Sequence, residues 1–196
     1  PPFFAAHYLM KNLESTGVVT NKLATSQLEL EREGNAKKTR KVIYTHQSPI
    51  LKDIVIAANQ KSVNLYCESL LRAIGKKKSN EGSAKAGLDA IYDFWKARGV
   101  NVEGFFMEDG SGLSVRNSVS AYHLASIMRK IAKDKKLYDT FNTSLAVGGR
   151  SGTLKRMFKG TIGEGNVRAK SGGMTRVRSY TGYARSKSGK LLAFCM

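Results

Sequence analysis

The last third of the chain decides the fold class: Asn166 to Met196 reads NVRAKSGGMTRVRSYTGYARSKSGKLLAFCM. Asn166 to Lys170, Val177 to Ala184 and Leu191 to Phe194 carry the short apolar and β-branched runs of strands. Turn residues separate them at Ser171-Gly172-Gly173 and at Ser186 to Gly189. Three short strands with brief connections predict an antiparallel meander.

Upstream the period changes from two to near 3.6. Phe3 to Leu13 places apolar residues at 3, 4, 8, 9 and 13, an amphipathic helix ending near Gly17. Val18 to Leu30 is polar with weak alternation and predicts a strand and a turn, and Glu31 to Lys41 (EREGNAKKTRK) a charged loop. Val42 to His46 is a short strand candidate, and Ser48-Pro49 opens a helix through Ala58. A second helix follows Lys61-Ser62-Val63-Asn64 and runs to Ile74, with Gly75 as its stop and Lys76 to Lys78 beyond. Leu88 to Ala97 is a third helix, closed by Gly99, and Val100 to Asn117 a glycine-containing loop. Val119 to Ile131 is a fourth helix, with Ser118 or Ser120 as cap, and Gly148 to Gly152 leads into a short helix. Helices first and a meander last is an α+β pattern without internal repeats.

The chain has 196 residues, enough for one domain or a large and a small one. With 41% apolar residues and no low-complexity tract, disordered and fibrous classes are excluded. No apolar run reaches half of the roughly 20 residues a membrane span needs. Cys67 and Cys195 form no disulfide framework and no metal spacing, and both sit among apolar residues as expected buried thiols. The chain opens Pro1-Pro2-Phe3 and stops in what reads as the middle of a buried strand. This predicts a segment of a longer protein, incomplete at both ends, so the lack of a targeting signal carries no information about compartment.

The net charge of +18 is uneven: Arg150 to Met196 holds 11 basic residues and one acid, Glu164. Such a stretch suits an anionic partner or is simply a solvated basic surface. No zinc finger, aromatic RNA-binding strand or helix-turn-helix signature accompanies it, so no nucleic acid is expected as partner.

Three short elements can carry chemistry. In Ser62-Val63-Asn64, positions two apart fall on different helix faces. Their side chains converge only if the motif lies in the turn before the helix; alone, the motif equally serves helix capping. Lys170-Ser171-Gly172-Gly173 combines a cation, a hydroxyl and glycines that admit a substrate backbone, or is a basic strand entering a turn. Asp109-Gly110-Ser111-Gly112-Leu113-Ser114 reads as an Asx-type turn before a helix.

The order S-x-N, then about a hundred residues, then K-[ST]-G is that of the penicillin-recognising serine acyltransferases. Ser48-Pro49-Ile50-Leu51 before Ser62-Val63-Asn64-Leu65-Tyr66, then Asp109 to Ser114, Gly148 to Leu154 (GGRSGTL) and Ala169 to Gly173 (AKSGG), narrow the match. Together they resemble the D-alanyl-D-alanine carboxypeptidase/endopeptidase family of low-molecular-mass class C penicillin-binding proteins, the S13 peptidases of the penicillin-binding protein 4 type. The resemblance spans almost the whole chain. It departs in two places. No lysine has a Ser or Thr three residues before it, so S-x-x-K is absent, and Ser171 stands where Thr is usual.

The resemblance implies a β-lactamase/transpeptidase-like fold, with residues 1–196 the C-terminal part of a penicillin-binding catalytic domain and the nucleophile upstream. It implies an acyl-enzyme on peptidoglycan stem peptides ending in D-Ala-D-Ala, β-lactams as covalent inhibitors, a cell-envelope location, and neither metal nor organic cofactor. Carried over, Ser62 relays protons to the leaving amine, Asn64 holds the substrate amide, and Lys170 holds Ser62 and the terminal carboxylate. Ser171 donates to that carboxylate, Gly172 lets the substrate approach the strand, and the Gly173 N–H forms one arm of the oxyanion hole. Asp109 and Ser111 shape the substrate cleft. His7, His46 and His123 have no partner at useful spacing. A β-lactamase-like hydrolase of the same fold, or a silent module that binds cell-wall peptides, fits the same motifs.

Overall fold

The computed structural model describes residues 2–35, 42 and 44–196, in two compact units, 1–47 and 48–196. In the first unit, α1 (Pro2–Ser15) is the predicted amphipathic helix. The strand predicted within Val18 to Leu30 is not formed. Instead α2 (Gln27–Arg32) begins there, because Ser26 and Glu29 make a reciprocal capping box. Of the predicted charged loop 31–41, residues 36–41 lie outside the described residues, and residues 31 and 32 are helical. Val42 and Tyr44 to His46 are irregular rather than a strand, and Ile43 lies outside the described residues.

The second unit opens with α3 (Leu51–Lys61), α4 (Asn64–Ser79) and α5 (Ala84–Ala97). Gly75 does not stop α4. It lies inside the helix at the crossing with α5, where an added Cβ would sit 2.7 Å from the Gly87 amide nitrogen. The helix ends a turn later, at Asn80 in the left-handed region with φ 60°. Gly87 faces Leu71 so closely that a Cβ there would overlap the Leu71 carbonyl. Two glycines thus let the two backbones meet, which a helix-breaking reading of Gly75 misses.

A loop over residues 100–120 contains one isolated bridge, Phe106 with Ser118. It leads to α6 (Ala121–Lys133), capped by Ser120 in a box completed by the His123 ring. His123 is buried against Phe105, so its role is structural. An additional helix, α7 (Lys135–Ser144), starts at Asp134, whose carboxylate accepts the Leu137 N–H at 3.0 Å.

The meander forms a sheet in the order β1 (Ala146–Val147), β2 (Arg168–Met174), β3 (Val177–Arg185), β4 (Leu191–Cys195), all antiparallel. A short 3-10 turn, Gly152–Leu154, intervenes between β1 and β2. The predicted turn at Ser171 to Gly173 is strand. Gly172 pairs with Ser179 and Gly173 with Arg178, and the chain reverses at Thr175-Arg176, with Arg176 left-handed at φ 64°. A Cβ on Gly172 would overlap the Ser179 hydroxyl, a contact that rotation of that side chain relieves, while the backbone of β3 stays 4.0 Å away.

Alternation divides the sheet's two faces between two core clusters. On one face Tyr183 packs with Met128, Ile131 and Leu145, and its hydroxyl donates to the Met128 carbonyl at 2.8 Å. On the other, Ala169 packs with Ala146 and Leu154, flanked by Tyr180 and Phe194. Leu145 and Leu154 are fully buried, each contributing about 1.5–3 kcal/mol. These clusters fix the sheet against α6 and α7 on one face and against the Gly152–Leu154 turn on the other, and the candidate site lies where β2 leaves the core.

Candidate active site

Ser62 occupies the junction between α3 and α4. It is the C-cap of α3 with φ 55° and ψ 52°, a left-handed conformation usually taken by glycine. Its N–H donates to the Ala58 carbonyl, as does that of Val63 at 3.3 Å. Val63 is the extended residue before α4 and Asn64 the first residue of that helix. Neither Ser62 nor Asn64 caps a helix with its side chain. The motif lies in the turn before the helix, the one placement in which its two polar side chains can converge.

Lys170 reaches Ser62 from β2, 108 residues away in sequence. Its Nζ donates to Ser62 Oγ at 2.9 Å and to its neighbour's carbonyl, Ser171 O, at 2.5 Å. Lys170 is half-buried while Ser62 and Asn64 are exposed, so the ammonium lies at the edge of the core under an open surface. Burial pushes its pKa below the usual lysine value, with the negative charge of a Cys67 thiolate acting in the opposite sense. Cys67 lies three residues after Asn64, on the same side of α4. Burial raises its pKa and the Lys170 cation lowers it, with burial prevailing. Both cysteines are half-buried rather than buried, and both are free thiols.

Ser171 points to the opposite face of β2 from Lys170 and donates its hydroxyl to Thr153 Oγ1 at 2.8 Å. Beyond Ala169, β1 no longer accompanies β2, because the register pairs only Ala146 with Ala169 and Val147 with Arg168. Among the described residues, the edge from Lys170 through Gly172 and Gly173 to Met174 is therefore open.

The Asp109 loop sits on the first turns of α4. The Asp109 carboxylate accepts the N–H groups of Gly112 (2.7 Å), Leu113 (3.1 Å) and Ser114 (2.7 Å), and the Asn117 amide at 3.0 Å. Burial raises its pKa, but the bonds from Asn117, Ser114, Gly112 and Leu113 outweigh it, and the group stays below the usual Asp value. Glu68 Oε1 accepts the N–H groups of Gly110 (3.0 Å) and Ser111 (2.9 Å). A Cβ on Gly110 would lie 2.7 Å from the Cys67 carbonyl, so loop and helix are in backbone contact.

The structure brings Ser62 and Lys170 into direct contact and holds Asn64 and the Asp109–Ser114 loop on the same helix. It also adds three residues that the sequence motifs did not single out: Glu68, Cys67 and Thr153. Glu68 stands four residues after Asn64, a legible helical spacing. Thr153 lies within the GGRSGTL stretch but carries no signal of its own.

A family model described as the D-Ala-D-Ala carboxypeptidase 3 (S13) family matches residues 1–196. The chain belongs to this S13 family. It is 31% identical over 196 residues to a D-alanyl-D-alanine carboxypeptidase of Actinomadura sp. strain R39, covering 97% of this chain and 36% of the relative. It is 30% identical over 176 residues to the penicillin-sensitive carboxypeptidase A of Dictyostelium discoideum, covering 87% and 32%. Among solved structures, penicillin binding protein 4 from Haemophilus influenzae superposes with a TM-score of 0.86 at 23% identity, over 98% of this chain and 41% of that one. The S13 assignment and the α+β, transpeptidase-like architecture expected from the motifs both hold. The chain spans about a third of the length of the curated relatives it matches.

Proposed function

We propose that residues 1–196 are the C-terminal part of a penicillin-binding catalytic domain that supplies the substrate-holding half of a serine-type D-Ala-D-Ala carboxypeptidase/endopeptidase site. The observation that carries this reading is the 2.9 Å bond from Lys170 to Ser62, which unites two motifs 108 residues apart. In the reaction, a serine outside this stretch gives its proton to a base that also lies outside it and attacks the penultimate D-alanine carbonyl; the C–N bond to the terminal D-alanine breaks, and water then hydrolyses the acyl-enzyme. Ser62 carries a proton to the leaving amine, and the adjacent Lys170 ammonium keeps that hydroxyl polarised. Asn64 holds the substrate amide.

A half-buried cation beside an open strand edge favours a ligand that ends in a carboxylate, with Ser171 contributing its hydroxyl. Gly172, lacking a side chain, lets the peptide lie along β2, and the Gly173 N–H faces the developing oxyanion. Loss of one such donor typically lowers the rate about 10²–10³-fold. Asp109 and Ser111 act by fixing the loop that walls the cleft, since the Asp109 carboxylate is engaged within that loop. A peptidoglycan substrate would place the protein in the cell envelope, where β-lactams would acylate the assembled site.

The absence of S-x-x-K favours a second reading for this stretch by itself: a module that binds the peptide without acylation. Intact-mass measurement with and without benzylpenicillin tests both. The expected result is an unmodified 21.5 kDa mass for this chain, and a one-to-one covalent adduct on protein that also contains S-x-x-K. An adduct on the 196-residue chain would place the nucleophile inside it and overturn the assignment of roles.

A further inference from the structure

Ser171 has one hydroxyl proton, and in the structure that proton is directed at Thr153 Oγ1, 2.8 Å away. A carboxylate can accept this proton only if Ser171 gives up its present partner. Among the described residues Thr153 makes no other side-chain hydrogen bond, so its own proton is available to the Ser171 oxygen. Reversing the bond turns the pair into a relay in which Thr153 donates to Ser171 and Ser171 donates to the ligand. A hydroxyl that accepts one hydrogen bond becomes a better donor in the next.

Thr153 is held in place for this from three sides. The adjacent Leu154 is fully buried in the core, and the Gly149 N–H donates to its carbonyl at 3.0 Å. Gly152, left-handed at φ 55°, lies so close to the last turn of α3 that a Cβ would sit 2.9 Å from the Gln60 carbonyl. Ser151 Oγ accepts the Val147 N–H at 3.1 Å, closing the loop onto β1. The same loop therefore touches the helix that ends in Ser62 and the strand that carries Ser171.

We infer that Thr153 is a positioning residue for carboxylate recognition: it orients the Ser171 hydroxyl and, when the ligand arrives, reverses its hydrogen bond so that Ser171 can donate. This rests on the carboxylate-binding reading of Lys170 and Ser171 given above.

The test measures dissociation constants of the purified chain for N-acetyl-D-alanyl-D-alanine and for its C-terminal amide. The variants are Thr153→Val, Thr153→Ser, Ser171→Ala and the double variant Thr153→Val/Ser171→Ala. Thr153→Val is expected to weaken the acid about tenfold, the scale of one hydrogen bond, and to leave the amide unchanged. Thr153→Ser restores the acid, and the double variant binds it no worse than Ser171→Ala alone. Equal affinity of Thr153→Val and the parent chain for the acid, equal losses for acid and amide, or additive losses in the double variant would each overturn the role of Thr153 while leaving the site itself standing. Failure of the parent chain to prefer the acid over the amide would overturn the carboxylate reading, and the Thr153 assignment with it.

Discussion

The two ends of α4 are built on opposite terms. Its C-terminal part meets α5 through Gly75 and Gly87, backbone against backbone, with the fully packed Leu71 between them. Just before its N-terminal end, the left-handed Ser62 meets β2 through the Lys170 ammonium, with the exposed Asn64 opening the helix. The first contact gains by excluding everything; the second keeps polar groups near solvent and accepts an unfavourable backbone conformation. On the proposed reading of the site, stability and binding are separable along one helix, and substitutions at its two ends should move different observables.

Gly87→Ala is the sharpest way to break the packed end. The new methyl overlaps the Leu71 carbonyl, so the helices must separate, at a cost of about 3 kcal/mol. A lower urea midpoint with unchanged slope would show it; an unchanged midpoint would mean that the crossing is loosely packed. At the other end, Lys170→Ala should weaken the acid form of the dipeptide ligand by about 1.5–3 kcal/mol, the scale of a hydrogen bond to a charged group. The same site should lose affinity at high pH earlier than an ordinary lysine would cause. The Lys170 pKa lies below 10.5, so its cation is present below that lowered value and disappears as pH rises through it.

Ser62→Gly sharpens the contrast further. Glycine takes a left-handed conformation without the penalty of a side chain, so the variant should gain about 1 kcal/mol of stability while ligand affinity falls. Unchanged stability in this variant would show that the Ser62 backbone is not strained. The smallest effect is local and acidic. The Asp109 pKa is depressed, so its support of the loop is complete above its unfolded value near 3.8 and is lost as pH falls through the lower folded value. Amide-exchange protection at Gly112, Leu113 and Ser114 should fall in that acid range and become independent of pH there in Asp109→Asn.

The same contrast explains what the sequence made legible. The meander, the major helices and the pairing of S-x-N with K-S-G followed from periodicity, turn residues and motif order, which are local or recognisable patterns. The glycines misled, because glycine serves two physical purposes. At Gly75 it permits close approach inside a helix and at Gly172 it is a paired strand residue, whereas the reversal after β2 uses Thr175-Arg176 and no glycine at all. Helix α2 was readable from Ser26 and Glu29, and α7 from Asp134 followed by Leu137, Tyr138 and Phe141, but both lie in polar sequence that hides the periodicity. Thr153 was not readable, since its value comes from a hydroxyl 18 residues away across a loop.

The short β1 strand has a consequence for self-association. An open strand edge invites a second copy of the same edge, the usual route from an exposed sheet to aggregation. Here the edge begins at Lys170 and ends at a hairpin carrying Arg176 and Arg178. Two such edges approaching one another bring cations together. The charges proposed to favour an acid-terminated peptide would thus also keep the molecules apart, and high salt, which screens them, should promote association before it promotes unfolding.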